Sequence, residues 1–205
     1  MLYEKNADEP LPPASVTKVM TLLLVMEAIE SGKIAYTDKV RASANACSMG
    51  GSQIYLRENE EMTVEDLLKS VIIASANDAA VALAEHICGS EDRFVKRMND
   101  KAESLGMKNT HFENPNGLDS PGHYSTARDL AALTAYAMKN PLFAQTVSTK
   151  NVRVGQRSLQ NHNKLLRLCE GCIGLKTGYT KAAGRTLVSA AQREGMTLIC
   201  VTLKD

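Results

Sequence analysis

Apolar and polar positions divide the chain into three regimes. From Ser15 to Ile29 apolar residues fall on nearly every side of a helical projection and Ser31-Gly32 follows as a stop, which predicts a central, buried helix. Ahead of it, Pro10, Pro12 and Pro13 exclude regular structure, and residues 2–5 alternate weakly enough to end a strand. Between about residues 37 and 146 the pattern is mostly helical. Thr63 with Asp66 starts a helix running to about Ile73, Asn77-Asp78 caps another that stops at Gly89, and Ser90-Glu91-Asp92 opens a third ending near Gly106. Asn114 to Gly122 is so rich in turn formers that it predicts a shaped loop, and Thr126 with Asp129 starts a helix ending at Asn140-Pro141.

From about residue 147 the period changes from helical to alternating. Val152 to Leu159 reads as a hairpin turning at Gly155-Gln156, and Leu175–Thr180, Arg185–Arg193 and Met196–Leu203 read as strands, the last two joined by Glu194-Gly195. Apolar residues on both faces of the final pair predict a sheet covered by helices on both sides. The fold class is therefore α/β (α+β): an antiparallel sheet with flanking helices and a helical subdomain. The whole of 1–205 is read as a single domain, with 1–36 and about 147–205 on the sheet side and about 37–146 as the helical part.

Composition narrows the function classes. With 44% apolar and 23% charged residues in 205, the chain is an ordinary globular domain, long enough to bury a core without staples. Its 24 basic and 23 acidic residues leave a net charge of +1, which offers no field to attract a phosphate backbone, so nucleic acid is not expected as a partner. The five cysteines are an odd number and describe no disulfide framework; Cys169 and Cys172 are the one close pair, and no histidine spacing completes a zinc site. No metal or cofactor is expected. The chain holds no apolar run of membrane-spanning length and no export signal at its start.

Three short patterns could carry chemistry: Ser15-Val16-Thr17-Lys18, Ser75-Ala76-Asn77 and Lys176-Thr177-Gly178. The first arises by composition about once in such a chain, whereas Lys-Thr-Gly is expected only about 0.06 times. Ser15 and Lys18, three apart at a helix start, share one face. Burial would lower the lysine pKa until it can take the serine proton, and helix N–H groups would face a developing oxyanion. Taken alone, the spacing equally fits an N-capping serine and a solvated first-turn lysine. Ser75 and Asn77 lie between two helical segments, where a loop presents a hydroxyl and an amide to a cleft, although Asn77 also reads as an N-cap. Ser43-Ala44-Asn45 is a second copy without helical brackets and reads as coincidence. On a strand, Lys176 and Gly178 face one way and Thr177 the other; the lysine suits a carboxylate and Gly178 leaves room for a substrate backbone, against the alternative of a solvated edge-strand lysine. Gly-x-Ser-x-Gly, His-Glu-x-x-His and phosphate-loop patterns are absent.

In this order the three patterns resemble the penicillin-recognising serine enzymes. Pro13 to Lys18, Ala74 to Ala80, Asn114 to Leu118, His123 to Leu130 and Gly174 to Thr180 are similar to the low-molecular-mass D-alanyl-D-alanine carboxypeptidases, peptidase family S11, and the similarity covers essentially the whole chain. The resemblance implies a β-lactamase/transpeptidase-like fold. Ser15 would attack a stem peptide of peptidoglycan ending in D-Ala-D-Ala with Lys18 as base, and Ser75 would relay a proton to the leaving amine. Asn77 would hold Lys18 and the substrate amide. Lys176 and Thr177 would bind the terminal carboxylate, and the N–H groups of Ser15 and Tyr179 would form the oxyanion hole. His162 falls where some relatives carry an arginine. β-Lactam antibiotics would acylate Ser15.

The resemblance further implies an extracytoplasmic, membrane-associated parent protein, and a chain cut at both ends relative to the family, with exposed edges that could self-associate. Alternatives are a serine β-lactamase or glutaminase of the same fold, the former disfavoured by the lack of a Glu-x-x-Leu-Asn motif, and a non-catalytic penicillin- or wall-binding module.

Overall fold

A computed structural model describes all 205 residues. A 3-10 turn, Ala14–Thr17, runs directly into helix α1 (Lys18–Glu30). Strand β1 (Lys39–Arg41), helix α2 (Ala44–Cys47) and strand β2 (Glu61–Thr63) precede α3 (Val64–Ile73), α4 (Asn77–Cys88) and α5 (Glu91–Ser104). After a long loop come α6 (Ala127–Ala137) and α7 (Pro141–Val147), the hairpin β3 (Asn151–Val154) and β4 (Arg157–Gln160), and α8 (Leu165–Leu168). The chain closes with β5 (Cys172–Thr180), β6 (Gly184–Arg193) and β7 (Met196–Thr202).

Helix starts follow local chemistry. Thr63, Ser90 and Thr126 each accept the N–H three residues on, from Asp66, Arg93 and Asp129 respectively, removing an orphan donor from α3, α5 and α6. The segment Asn140-Pro141, expected to end α6, instead starts α7: Asn140 accepts from the Leu142 and Phe143 N–H groups, and Pro141 sits at the first helical position, where its missing donor costs nothing. Asn77 is the first residue of α4 and not its cap; Ala76 holds the cap position and makes no side-chain bond. Residues 2–5, expected to end a strand, are exposed and form none, because no neighbouring strand offers a ladder; the first pairing is the isolated bridge of Leu11 with Ser125.

β5, β6 and β7 form one antiparallel sheet in that order. The turn Ala14–Thr17 lies against β5 and β6, α6 packs on β7, and α7 and α8 pack on β5. Both faces of β5 are covered at Leu175 and Lys176. The outer face of β7 is open: Met196 and Leu198 are 58% and 44% exposed, while α6 packs against that strand and α7 and α8 pack on β5. Helix α1 is the axle of the molecule, with Val19 through Met26 all buried. Around it one continuous cluster of 44 buried apolar residues extends from α3 and α4 to Leu175, Val188 and Ala190 on the sheet, so the helical and sheet sides share a core. No helix is long and apolar enough to cross a membrane.

Candidate active site

The turn Ala14–Thr17 carries Ser15 half-buried at its surface and delivers Lys18 into a site where its side chain is wholly buried. Lys18 Nζ lies 2.9 Å from Ser15 Oγ, 2.6 Å from Asn77 Oδ1 and 2.5 Å from the Asn116 carbonyl. Asn77 Nδ2 donates to the Gly50 carbonyl at 2.7 Å, which fixes its oxygen toward the lysine. Burial pushes the Lys18 pKa well below its usual value; the Lys176 charge pushes the same way and Asp78 opposes it.

That geometry assigns the amine's bonds. Two neighbours of Nζ, the Asn77 and Asn116 oxygens, can only accept. A neutral amine therefore spends both N–H groups on them and turns its lone pair toward the Ser15 hydroxyl. The solvated-lysine alternative does not survive full burial with three contacts, and Ser15 caps no helix, since neither the turn nor α1 has a side-chain cap. The Ser15 N–H makes no hydrogen bond within the chain.

β5 forms the opposite wall. Register is regular from Gly174 to Thr180, with Lys176 opposite Val188 and Gly178 opposite Thr186, so Lys176 and Gly178 share the face toward the turn. A Cβ on Gly178 would sit 2.9 Å from Ser15 N and 3.0 Å from Ala14 Cβ, which measures how closely strand and turn approach. Lys176 is 3% exposed and donates to the Thr177 carbonyl at 2.7 Å; burial lowers its pKa to about 7. Thr177 points to the other face, as alternation predicts, and its hydroxyl joins none of the hydrogen bonds around Lys18. The Tyr179 ring is 68% exposed.

Ser75 lies at the end of α3 with φ of 58°, a left-handed backbone uncommon for serine; it is 3% exposed and its hydroxyl has no partner within the chain. His162 is exposed, and its pKa is lowered by partial desolvation of the ring and by the Lys176 and Lys18 charges; it makes no hydrogen bond to the groups around Lys18. Ser43-Ala44-Asn45 lies elsewhere: Ser43 caps α2, and both Ser43 and Asn45 bind Glu85.

Three participants escaped the motif reading. The loop Asn114–Leu118 supplies the Asn116 carbonyl, and Thr21 pins it by donating to the Pro115 carbonyl at 2.6 Å. Gly117, φ 84°, lets its backbone lie against Ala14: a Cβ there would be 1.9 Å from the Ala14 oxygen. Buried Asp78 accepts from the N–H groups of Ile54, Leu56 and Ala79, tying the segment after Gly50 to α4 beside Asn77. Main-chain contributions carry no side-chain signal; the density of turn formers in Asn114–Gly122 and the family likeness of Asn114–Leu118 pointed to that loop but not to its carbonyl.

The family model for D-alanyl-D-alanine carboxypeptidases, peptidase S11, matches residues 1–205. The chain belongs to that family. It is 48% identical over 206 residues to the D-alanyl-D-alanine carboxypeptidase DacF of Bacillus subtilis, covering 98% of this chain and 53% of that protein, and 40% identical to DacC of Escherichia coli, covering 99% and 53%. The S11 chain thus spans about half the length of these relatives. The crystal structure of the D-alanyl-D-alanine carboxypeptidase DacD from Francisella tularensis superposes with a TM-score of 0.94 at 31% identity, over 100% of this chain and 62% of that one. Penicillin-binding protein D2 from Listeria monocytogenes, solved in an ampicillin-bound form, gives 0.90 at 33% identity over 99% and 83%. These neighbours bear out the transpeptidase-like fold class.

Proposed function

We propose that the protein is a serine-type D-Ala-D-Ala carboxypeptidase acting on peptidoglycan stem peptides and acylated by β-lactams. The observation that carries this is the wholly buried Lys18 amine, held 2.9 Å from Ser15 Oγ between the fixed Asn77 and Asn116 oxygens; once neutral, it gives both N–H groups to those oxygens and its lone pair to Ser15. The Ser15 oxygen attacks the carbonyl carbon of the penultimate D-alanine while its proton passes to Lys18 Nζ. The oxyanion is received by the free Ser15 N–H and the Tyr179 N–H. The C–N bond then breaks, the leaving D-alanine amine takes a proton by way of Ser75, and water hydrolyses the ester to regenerate Ser15. Lys176, buried on the same face as Gly178, receives the terminal carboxylate. Thr177 assists through its position on the strand, and His162 adds a polar group at the rim. Asn77 orients Lys18 and meets the substrate amide.

The shared core supports reading residues 1–205 as one catalytic domain. The same reading puts the protein on the outer side of a bacterial membrane and in association with it, and the exposed Met196 and Leu198 support self-association through the sheet. Mass spectrometry after penicillin treatment tests the assignment. One covalent adduct on the peptide containing Ser15, absent in Ser15→Ala, with D-alanine release from a D-Ala-D-Ala peptide, is the expected result. A folded protein that forms no adduct and releases no D-alanine would refute it.

A further inference from the structure

His123 is 3% exposed, lies outside the reacting groups, and is bonded at both ring nitrogens. Its Nδ1 is 3.0 Å from the Glu113 backbone N–H, a group that can only donate, so Nδ1 carries a lone pair. The proton of the neutral ring therefore sits on Nε2, which lies 2.7 Å from Thr17 Oγ1 and donates to it. Thr17 is itself fully buried and sits between Ser15 and Lys18 in the chain. Glu113 begins the loop whose Asn116 carbonyl receives Lys18 Nζ. One imidazole thus joins the turn bearing the nucleophile to the base of the loop that orients the lysine.

We propose that His123, as the neutral Nε2-protonated tautomer, is a positioning residue for acylation of Ser15. It acts by holding the Thr17 hydroxyl and the Glu113 N–H in fixed relation, so that the Asn116 carbonyl stays on the Lys18 amine. The role rests on the carboxypeptidase reading above. Burial is the main reason the ring stays neutral, lowering its pKa to about 4; Glu113 and Asp119 oppose this, and His111 and Lys18 reinforce it. Protonation would set a second N–H against the Glu113 N–H and break the bridge. The Phe112 ring, edge-on at 5.7 Å between centroids, closes the apolar side of the pocket.

The test compares His123→Gln with His123→Leu. A glutamine amide offers a carbonyl acceptor and an NH2 donor group and can serve both partners; leucine fills similar space and serves neither. With a fluorescent penicillin, the acylation rate constant of His123→Leu falls about 10- to 100-fold with little change in the initial dissociation constant, because a small displacement of reacting groups lowers rate more than binding. His123→Gln retains the rate within about threefold of the parent. Long-range 1H–15N NMR of the parent protein shows a neutral ring protonated on Nε2 at pH 6. An unchanged rate in His123→Leu overturns the proposal, as does equal impairment of the two variants or an Nδ1-protonated or charged ring at pH 6. Should His123→Leu fail to fold, the glutamine rate and the NMR tautomer still decide. A folded parent that is not acylated at Ser15 sinks the carboxypeptidase reading and this role together, whereas normal acylation of both parent and His123→Leu sinks the positioning role alone.

Discussion

Substituting Gly178 by alanine probes the contact between β5 and the Ala14–Thr17 turn that carries Ser15. The added Cβ would lie 2.3 Å from Thr186 Oγ1, 2.9 Å from Ser15 N and 3.0 Å from Ala14 Cβ. The threonine can rotate away, but its hydroxyl then abandons the Pro13 carbonyl, which it meets at 3.1 Å and which keeps the Val16 N–H, and leaving that buried hydroxyl without a partner costs about 1–3 kcal/mol. The Ser15 nitrogen cannot rotate. Restoring ordinary contact requires turn and strand to part by about half an ångström, and misplacement on the order of 1 Å costs about a hundredfold in rate. Gly178→Ala should therefore lose about 10- to 100-fold in penicillin acylation, equivalent to about 1.4–2.7 kcal/mol of barrier. Adding Thr186→Ala should relieve the first clash and recover stability, but leave most of the rate defect. Stopped-flow acylation with a fluorescent penicillin, alongside thermal melts, measures both. Acylation of Gly178→Ala within about threefold of the parent, or full recovery of rate in the double variant, would refute the claim that turn and strand meet without slack.

Three further outcomes follow from the buried groups Lys176 and Asp78. Lys176 has a pKa of about 7 in the folded protein, so affinity for a carboxylate-bearing acyl donor should fall as pH rises through about 7, where the free protein loses the cation; a flat affinity from pH 6 to 9 would contradict its role. Because the same group titrates near 10.5 when unfolded, the unfolded chain binds more protons between these values. Its contribution to stability therefore rises with pH across that window and is lost as pH falls back through about 7. Asp78→Ala leaves the N–H groups of Ile54, Leu56 and Ala79 unpaired and should cost about 3 kcal/mol, lowering Tm by roughly 6–12 °C; calorimetry showing a loss below about 1 kcal/mol would remove Asp78 from the scaffold.

Elements with strong internal signals were legible in the sequence. The unbroken apolar run of α1, the Ser/Thr caps of α3, α5 and α6, and the Gly155-Gln156 and Glu194-Gly195 turns all lie where the pattern places them. Ser15, Lys18, Asn77, Lys176 and Gly178 meet around one cleft. What stayed hidden depends on distant partners. β1 and β2 are three residues each and exist because they pair with one another inside a mostly helical stretch, which no local period reveals. Asn77 looks like a cap because asparagine favours caps; its amide is instead spent on Lys18 and Gly50, and the helix starts without one. The Asn116 and Gly50 carbonyls are invisible for the simplest reason: every residue has one.

The contact at Gly117 has a dynamic corollary. Here the loop's main chain lies directly on the Ala14 carbonyl, with no side chain between them. Side chains hop between rotamers in picoseconds to nanoseconds, but a spacing fixed by two main chains has no rotamer to change. The mounting of Ser15 is therefore gauged by backbone radii, and the disorder that must be removed to align a nucleophile was removed when the chain folded. On the carboxypeptidase reading, a substrate arriving at this seat would meet a Ser15 backbone already in place, and its binding free energy would remain available for the reaction itself.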